Sequence, residues 1–314
     1  DFLVFSLYGL YFFIPTIIGT KKSFHTTMSI FIIATGIIAL EYLIIFAFHL
    51  LRGGFQRVNP NQGLIFIFSI PLIIGMAIKT EGARLKRFSL MMLIALAFGG
   101  IAVTFTRGLW IALIIGSLIM LTLFRKDINK KYLIIGTIAI VCGMIVTIFY
   151  LARIVGIDIW SNLIGRAATI LEFSEISSVK QRFIANDIVA AQVIKNPIFG
   201  QGLGKQLVYS FSGVGYFLHW IDNSYLMLLW KLGTVGTIAF LLLPIRSFIE
   251  SIRIFRKTKD TRIKIFTGAM ISFIVPFFIY AFASPLMIKY LLNLIWVTLF
   301  GLIESIKNFS PSET

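Results

Sequence analysis

Cysteine is almost absent from this chain: Cys142 is the only one in 314 residues. Without a second thiol, an intrachain disulfide and a thiolate metal site are both excluded. Histidine is nearly as scarce, and His25, His49 and His219 fall in separate segments. No set of His, Asp and Glu has the spacing of metal ligands, so neither a bound divalent ion nor a cofactor is expected. Charge is sparse too, at 13% of residues, and acidic residues number 13 against 29 Lys and Arg. The chain opens on Asp1-Phe-Leu-Val, with no basic region or small-residue cleavage site, so a signal peptide is not expected there.

What fills the chain is hydrocarbon. Hydrophobic residues make up 58% and the mean hydropathy is +0.93, more apolar surface than a soluble core of this size conceals, so lipid is the expected solvent. A net charge of +16 would suggest nucleic acid in a soluble protein. Here the cations cluster in short segments between apolar runs, which is the positive-inside pattern of a membrane protein, and nucleic acid is not an expected partner.

Runs long enough to cross about 30 Å of hydrocarbon lie near 2–18, 28–50, 62–78, 88–105, 109–124, 132–152, 223–243, 265–283 and 286–303. They lack the alternation of barrel strands, so the expected fold is all-α, a polytopic transmembrane helical bundle of about nine spans. Six spans occupy 1–152, a long polar segment 153–222, and three spans with a tail 223–314. If the spans alternate, Lys21 and Lys22, the cluster Lys79 to Arg87, the cluster Arg125 to Lys131 and the cluster Arg246 to Lys264 share one side, which the charge rule makes cytoplasmic. Segment 153–222 and the turn at Arg107 then face out. An outward N-terminus is expected to follow an odd number of earlier spans.

The amphipathic stretch Ile245 to Lys264 reads as a topology determinant or as a binding surface for anionic membrane lipids. Glu41, Lys231 and Lys289 lie inside spans, where charges are functional suspects or pair, snorkel or line water.

Chemistry is expected in the outer segment and at its edges. Arg107, in Thr104-Phe-Thr-Arg-Gly-Leu-Trp110, sits between two apolar runs with barely a loop. It either snorkels to headgroups or, helped by Thr104, Thr106 and Gly108, turns into the bundle. Arg182 borders an amphipathic helix whose apolar face is expected to include Val179, Phe183, Val189 and Val193 or their neighbours. Two interfacial arginines suit a lipid-linked diphosphate, because guanidinium binds phosphate oxygens bidentately and stays charged. Gly200, Gly202 and Gly204 follow Pro197, a turn able to present backbone N–H groups to an anion. His219, Asp222 and Asn223 lead into the next span. Asp222 or Asn223 is a helix cap, or Asp222 serves with His219 as a general base.

Thr106-Arg-Gly-Leu-Trp-Ile-Ala112, Arg166, Arg182, Asn196-Pro-Ile-Phe-Gly-Gln-Gly-Leu-Gly204, Asp222-Asn-Ser-Tyr-Leu226 and Gly233-Thr-Val-Gly236 occur in that order. Together they resemble the O-antigen ligase and O-antigen polymerase family of polysaccharide-assembling membrane proteins, over about residues 88–243. The resemblance implies metal-independent, inverting glycosyl transfer at the outer face of the cell membrane. The donor would be an undecaprenyl-diphosphate-linked glycan and the acceptor a glycan or other hydroxyl, with other polysaccharide-assembly proteins as partners. By this resemblance Arg107, Arg182 and Arg166 hold the diphosphate, Asn223 and Gly202 line the substrate, and Asp222 or His219 is the base. The ligases carry histidine where this chain has Asp222, which favours a polymerase over a lipopolysaccharide ligase. A ligase to another acceptor, an anionic-substrate transporter and a non-catalytic membrane scaffold are the competing readings; paired broken helices or repeated halves, absent from the sequence pattern, would mark the transporter.

Overall fold

The computed structural model describes residues 6–52, 58–59, 62–80, 84–127, 177–211, 214–218, 221–287 and 290–309. These are helical apart from one hairpin. A 3₁₀ turn at Leu7–Gly9 leads into α1 (Leu10–Ile17), followed by α2 (Lys21–Leu51), α3 (Gly63–Lys79), α4 (Arg84–Ala102) and α5 (Arg107–Leu123). After the undescribed stretch come α6 (Ser177–Lys195), β1 (Leu207–Phe211), β2 (Val214–Leu218), α7 (Ser224–Lys257), α8 (Thr261–Tyr280) and α9 (Tyr290–Ser305), then a 3₁₀ turn at Ile306–Asn308.

Four of these helices, α2, α4, α7 and α8, are long and apolar enough to cross a membrane, and the chain reads as a membrane protein. Of the nine expected spans, that at 132–152 lies outside the described residues, and the first is a short helix with residues 1–5 undescribed. Helices α3 and α5 are apolar but only 17 residues each, about 26 Å at 1.5 Å per residue. The expected boundaries moved most at α7, which continues through the basic region as far as Lys257.

Helix α8 is the centre. It packs against α5, α3 and α7, and 72% of its apolar window is buried against 22% for α2. Lipid tails are as apolar as leucine, so helices here associate through close packing rather than flight from water. The contacts are aromatic: Phe68 meets Phe266 and Phe273 edge-on, with ring centroids 5.6 and 6.2 Å apart, and Trp296 of α9 lies 5.6 Å from Phe277. Helix α1 packs on α9, and α4 on α2.

The two ends of the bundle differ. At one, Lys21 pairs with Asp260, Lys79 with Asp127 at 2.7 Å, and Phe124 stacks edge-on against Phe255. The basic clusters on these helices gather there, as alternating spans require. At the other end lie the α4–α5 turn, the start of α7, the turn after α8, and α6. The hairpin departs from an all-α expectation. It pairs β1 and β2 antiparallel, Leu207 opposite Leu218 and Phe211 opposite Val214. Its sequence is rich in β-branched and aromatic residues around Ser212-Gly213, a signal for a two-residue hairpin.

Candidate active site

The α4–α5 turn sets the first residue. Thr104 is buried and donates its hydroxyl to the Ile101 carbonyl at 2.7 Å, while its Oγ accepts from Thr106 N–H at 3.3 Å. Phe105 is held at φ 49°, a left-handed conformation costly for a bulky side chain. Its ring is buried, 6.0 Å from Phe46 and 6.4 Å from Trp110, and the indole donates to Ile101 at 3.2 Å. That packing holds the turn, and α5 begins at Arg107. The next residue fixes where α5 starts in space. A Cβ on Gly108 would lie 2.2 Å from the Tyr280 ring, so α5 begins flush against the end of α8. The Arg107 side chain lies outside the described residues.

Tyr280 joins α5 to the other polar groups. Its hydroxyl lies near Ser284 and within reach of the charges on Arg182 and Asp222. Those two form an ion pair, Arg182 Nε to Asp222 Oδ2, at 2.5 Å. The side chains remain 53% and 38% exposed, so a ligand can reach both. The start of α7 is fastened beside them. Ser224 N–H donates to the Ala281 carbonyl at 2.9 Å, Ser224 hydroxyl to Ser284 at 2.7 Å, and Tyr225 hydroxyl to Phe278 at 2.9 Å.

The cap of α7 is Asn223, whose Oδ1 accepts from Tyr225 and Leu226 N–H, each at 3.1 Å. This resolves the choice between neighbours: Asn223 caps, and Asp222 is turned toward Arg182. Asn223 was expected against substrate, but its acceptor oxygen is committed to the helix end.

The glycine-rich turn has a structural task instead of the expected anion site. Helix α7 is broken at Gly233, at φ 66° and ψ −173°, a region open essentially only to glycine. The break leaves the N–H groups of Thr234 and Val235 and the carbonyls of Trp230 and Lys231 without their i to i−4 partners. Thr234 and Val235 donate to Pro197 and Ile198 at 2.8 and 3.2 Å. Gln201 and Gly202 donate to Trp230 and Lys231 at 2.8 and 3.0 Å. The loop thus replaces two helical hydrogen bonds with four, satisfying groups that hydrocarbon would leave costly. The Gly202 N–H assigned to substrate is therefore taken by Lys231. Lys231, an intramembrane suspect, is buried with its ammonium donating to the Leu203 carbonyl at 3.0 Å.

Helix α6 carries Arg182 and docks on α7 through Ala185 and Val189, both buried, and Val193. Those positions are four apart and form one face, but Phe183 is 62% exposed, which corrects the expected apolar face. Of the expected site residues, Arg166 and His219 lie outside the described residues, as does Lys289. Arg182, Asp222, Asn223 and the backbone of Arg107 converge on one end of the bundle.

No protein-family model matches the chain, and no curated protein matches it.

The site therefore stands on residues and geometry. Sequence reasoning missed Tyr280 and Ser284; a tyrosine closing an apolar run just before Ser284-Pro285 carries little signal until the two turns are seen together. It also missed the helix break, although Gly233 was singled out as part of a motif.

Proposed function

We propose that the chain is a membrane glycosyltransferase that polymerises or transfers glycan repeats from an undecaprenyl-diphosphate carrier at the outer face of the cytoplasmic membrane. The observation that carries this reading is the exposed Arg182–Asp222 pair beside the start of α5 at Arg107. A donor diphosphate needs fixed cations, because its negative charge grows as the glycosidic bond to it breaks. In the resting arrangement Asp222 occupies Arg182 in the way a phosphate oxygen would.

Donor binding then exchanges partners. The diphosphate takes Arg182, and Asp222 is released to accept the proton of the attacking acceptor hydroxyl as the new glycosidic bond forms. The leaving lipid diphosphate needs no proton while arginines neutralise it. Asp222 is in this scheme both the resting counter-ion and the base, with His219 as the alternative base. A polymerase uses a second lipid-linked repeat as acceptor; a ligase uses another hydroxyl.

The broken helix α7 is a feature expected of transporters, but its freed backbone groups are closed by the chain's own loop instead of lining a path. Among the described residues it has no counterpart in another helix, so the transporter reading gains nothing from it.

The test uses purified protein in liposomes with a lipid-diphosphate-linked oligosaccharide as sole substrate. A product ladder that disappears in Arg107→Ala and Arg182→Ala supports a polymerase. Transfer only after a separate acceptor is added supports a ligase. Wild-type product from both folded variants would refute the role given to the arginines.

A further inference from the structure

At the end of the bundle opposite the candidate active site, the last turns of α7 and the 3₁₀ turn after α9 enclose a groove of about 590 Å³. Its lining combines four cations, Arg253, Lys257, Lys259 and Lys307, with the apolar side chains of Ile254, Ile306 and Phe309. Glu250 is the one acid in the lining; it lies 3.7 Å from Arg253 and 3.4 Å from Lys307. Lys307 is further engaged by Glu304 at 2.8 Å. Lys257 and Lys259 have no carboxylate partner among the described residues, so the groove carries uncompensated positive charge.

The surface leading to it is continuous hydrocarbon. Val235, Ile238, Leu242, Ile245 and Ile249 recur at intervals of three and four, each between 44% and 59% exposed. They form one lipid-facing stripe on α7. Its next positions on the same face are Arg253 and Arg256, both exposed. The stripe is about 21 Å long at 1.5 Å per residue, and it gives way to cation within one helical turn. That is where acyl chain gives way to headgroup phosphate.

We propose that this groove binds the phosphate headgroup of an anionic phospholipid of the surrounding bilayer, with an acyl chain lying along the α7 stripe. Charge complementarity selects the phosphate. The apolar part of the lining and the stripe select an amphiphile over a soluble anion, since a soluble ligand would leave both unused. Lys257 and Lys259 supply the free cations, and Arg253 a planar fork for two phosphate oxygens.

The experiment is native mass spectrometry of the full chain released from detergent after exchange into phosphatidylglycerol or phosphatidylcholine. A triple variant, Arg253→Gln with Lys257→Gln and Lys259→Gln, is compared with a charge-matched control, Lys22→Gln with Lys86→Gln and Arg87→Gln, which lies outside the groove. The expected result is retained phosphatidylglycerol on wild type and control, no selective retention of phosphatidylcholine, and loss in the triple variant. At roughly fivefold per interfacial cation, affinity falls on the order of 100-fold. Equal loss from the control would reduce the effect to general surface charge and overturn the site. Displacement of the lipid by millimolar glycerol phosphate would identify a soluble-anion site and overturn the lipid assignment. Neither outcome depends on glycosyl transfer, so this inference and the enzymatic reading fail separately.

Discussion

Replacing Gly233 by alanine tests the hydrogen-bond exchange that ties the glycine-rich loop to α7. The new Cβ would lie 2.2 Å from the Ile198 carbonyl oxygen and 2.4 Å from the Gly200 nitrogen, so the docked loop cannot remain in place. If it shifts and the backbone keeps its conformation, the strain at φ 66° costs about 1–3 kcal/mol. If it undocks and α7 straightens, four inter-segment backbone bonds are lost and two helical backbone bonds regained, leaving aside the side-chain bonds of Lys231 to Leu203 and Thr234 to Pro197. At about 0.5–1.5 kcal/mol per bond, that net loss of two is again about 1–3 kcal/mol. The assay is hydrogen exchange in nanodiscs, read at the Gln201 and Gly202 amides. Gly202 is exposed, so protection of its amide reports the bond to Lys231 and not burial. Exchange at both positions should accelerate about 5- to 150-fold in the variant. If the proposed function holds, glycan transfer should fall with it, because the loop continues from the helix that carries Arg182. Unprotected Gln201 and Gly202 amides in the wild type, or unchanged exchange in Gly233→Ala, would refute the exchange of partners.

Asp222→Asn removes the ion pair with Arg182; because both side chains are substantially exposed, unfolding in detergent should shift by less than about 1 kcal/mol, while under the proposed mechanism transfer is lost and donor binding survives. Gly108→Leu drives a side chain into the Tyr280 ring and should cost about 1–3 kcal/mol, part of which Tyr280→Ala restores in the double variant, as a thermal-shift cycle would show. Asp260 caps α8 by accepting from Arg262 and Ile263 N–H at 2.8 and 3.1 Å, so Asp260→Ala should destabilise by about 1 kcal/mol or somewhat more. Burial raises the Asp260 carboxyl, but Lys21 and the two backbone N–H groups outweigh it and hold it below its ordinary 3.8. A lowered folded value means this carboxylate stabilises at neutral pH and ceases to as pH falls through that value. The stability gap between wild type and Asp260→Ala should therefore narrow below pH 3.8, and a gap constant down to pH 2 would contradict the assignment.

The difference between what could and could not be read in advance follows from the range of the forces. Hydropathy and positive charge act locally, so the apolar helices that the structure describes and the basic end of the bundle were legible residue by residue, though not all of their boundaries. Asn223 and Asp222 were not separable in this way, since either side chain caps a helix; what decides is Arg182, forty residues earlier in the chain. The break in α7 is hidden for the same reason. Gly233 leaves the hydropathy of its surroundings unchanged, and nothing near it signals that Pro197 to Gly202 will supply the missing partners. Yet each half of that arrangement has a visible requirement. Gly200 sits at φ 70°, and a Cβ there would meet the Gly233 nitrogen at 2.5 Å, just as a Cβ on Gly233 would meet Gly200. Two glycines in separate motifs are each needed because the other backbone passes through the space a side chain would fill. Gly200 and Gly202, which the sequence offers as part of an anion cradle, thus serve to dock the loop after the arginine-bearing helix onto a broken helix, and in the proposed mechanism the anion falls to side chains instead.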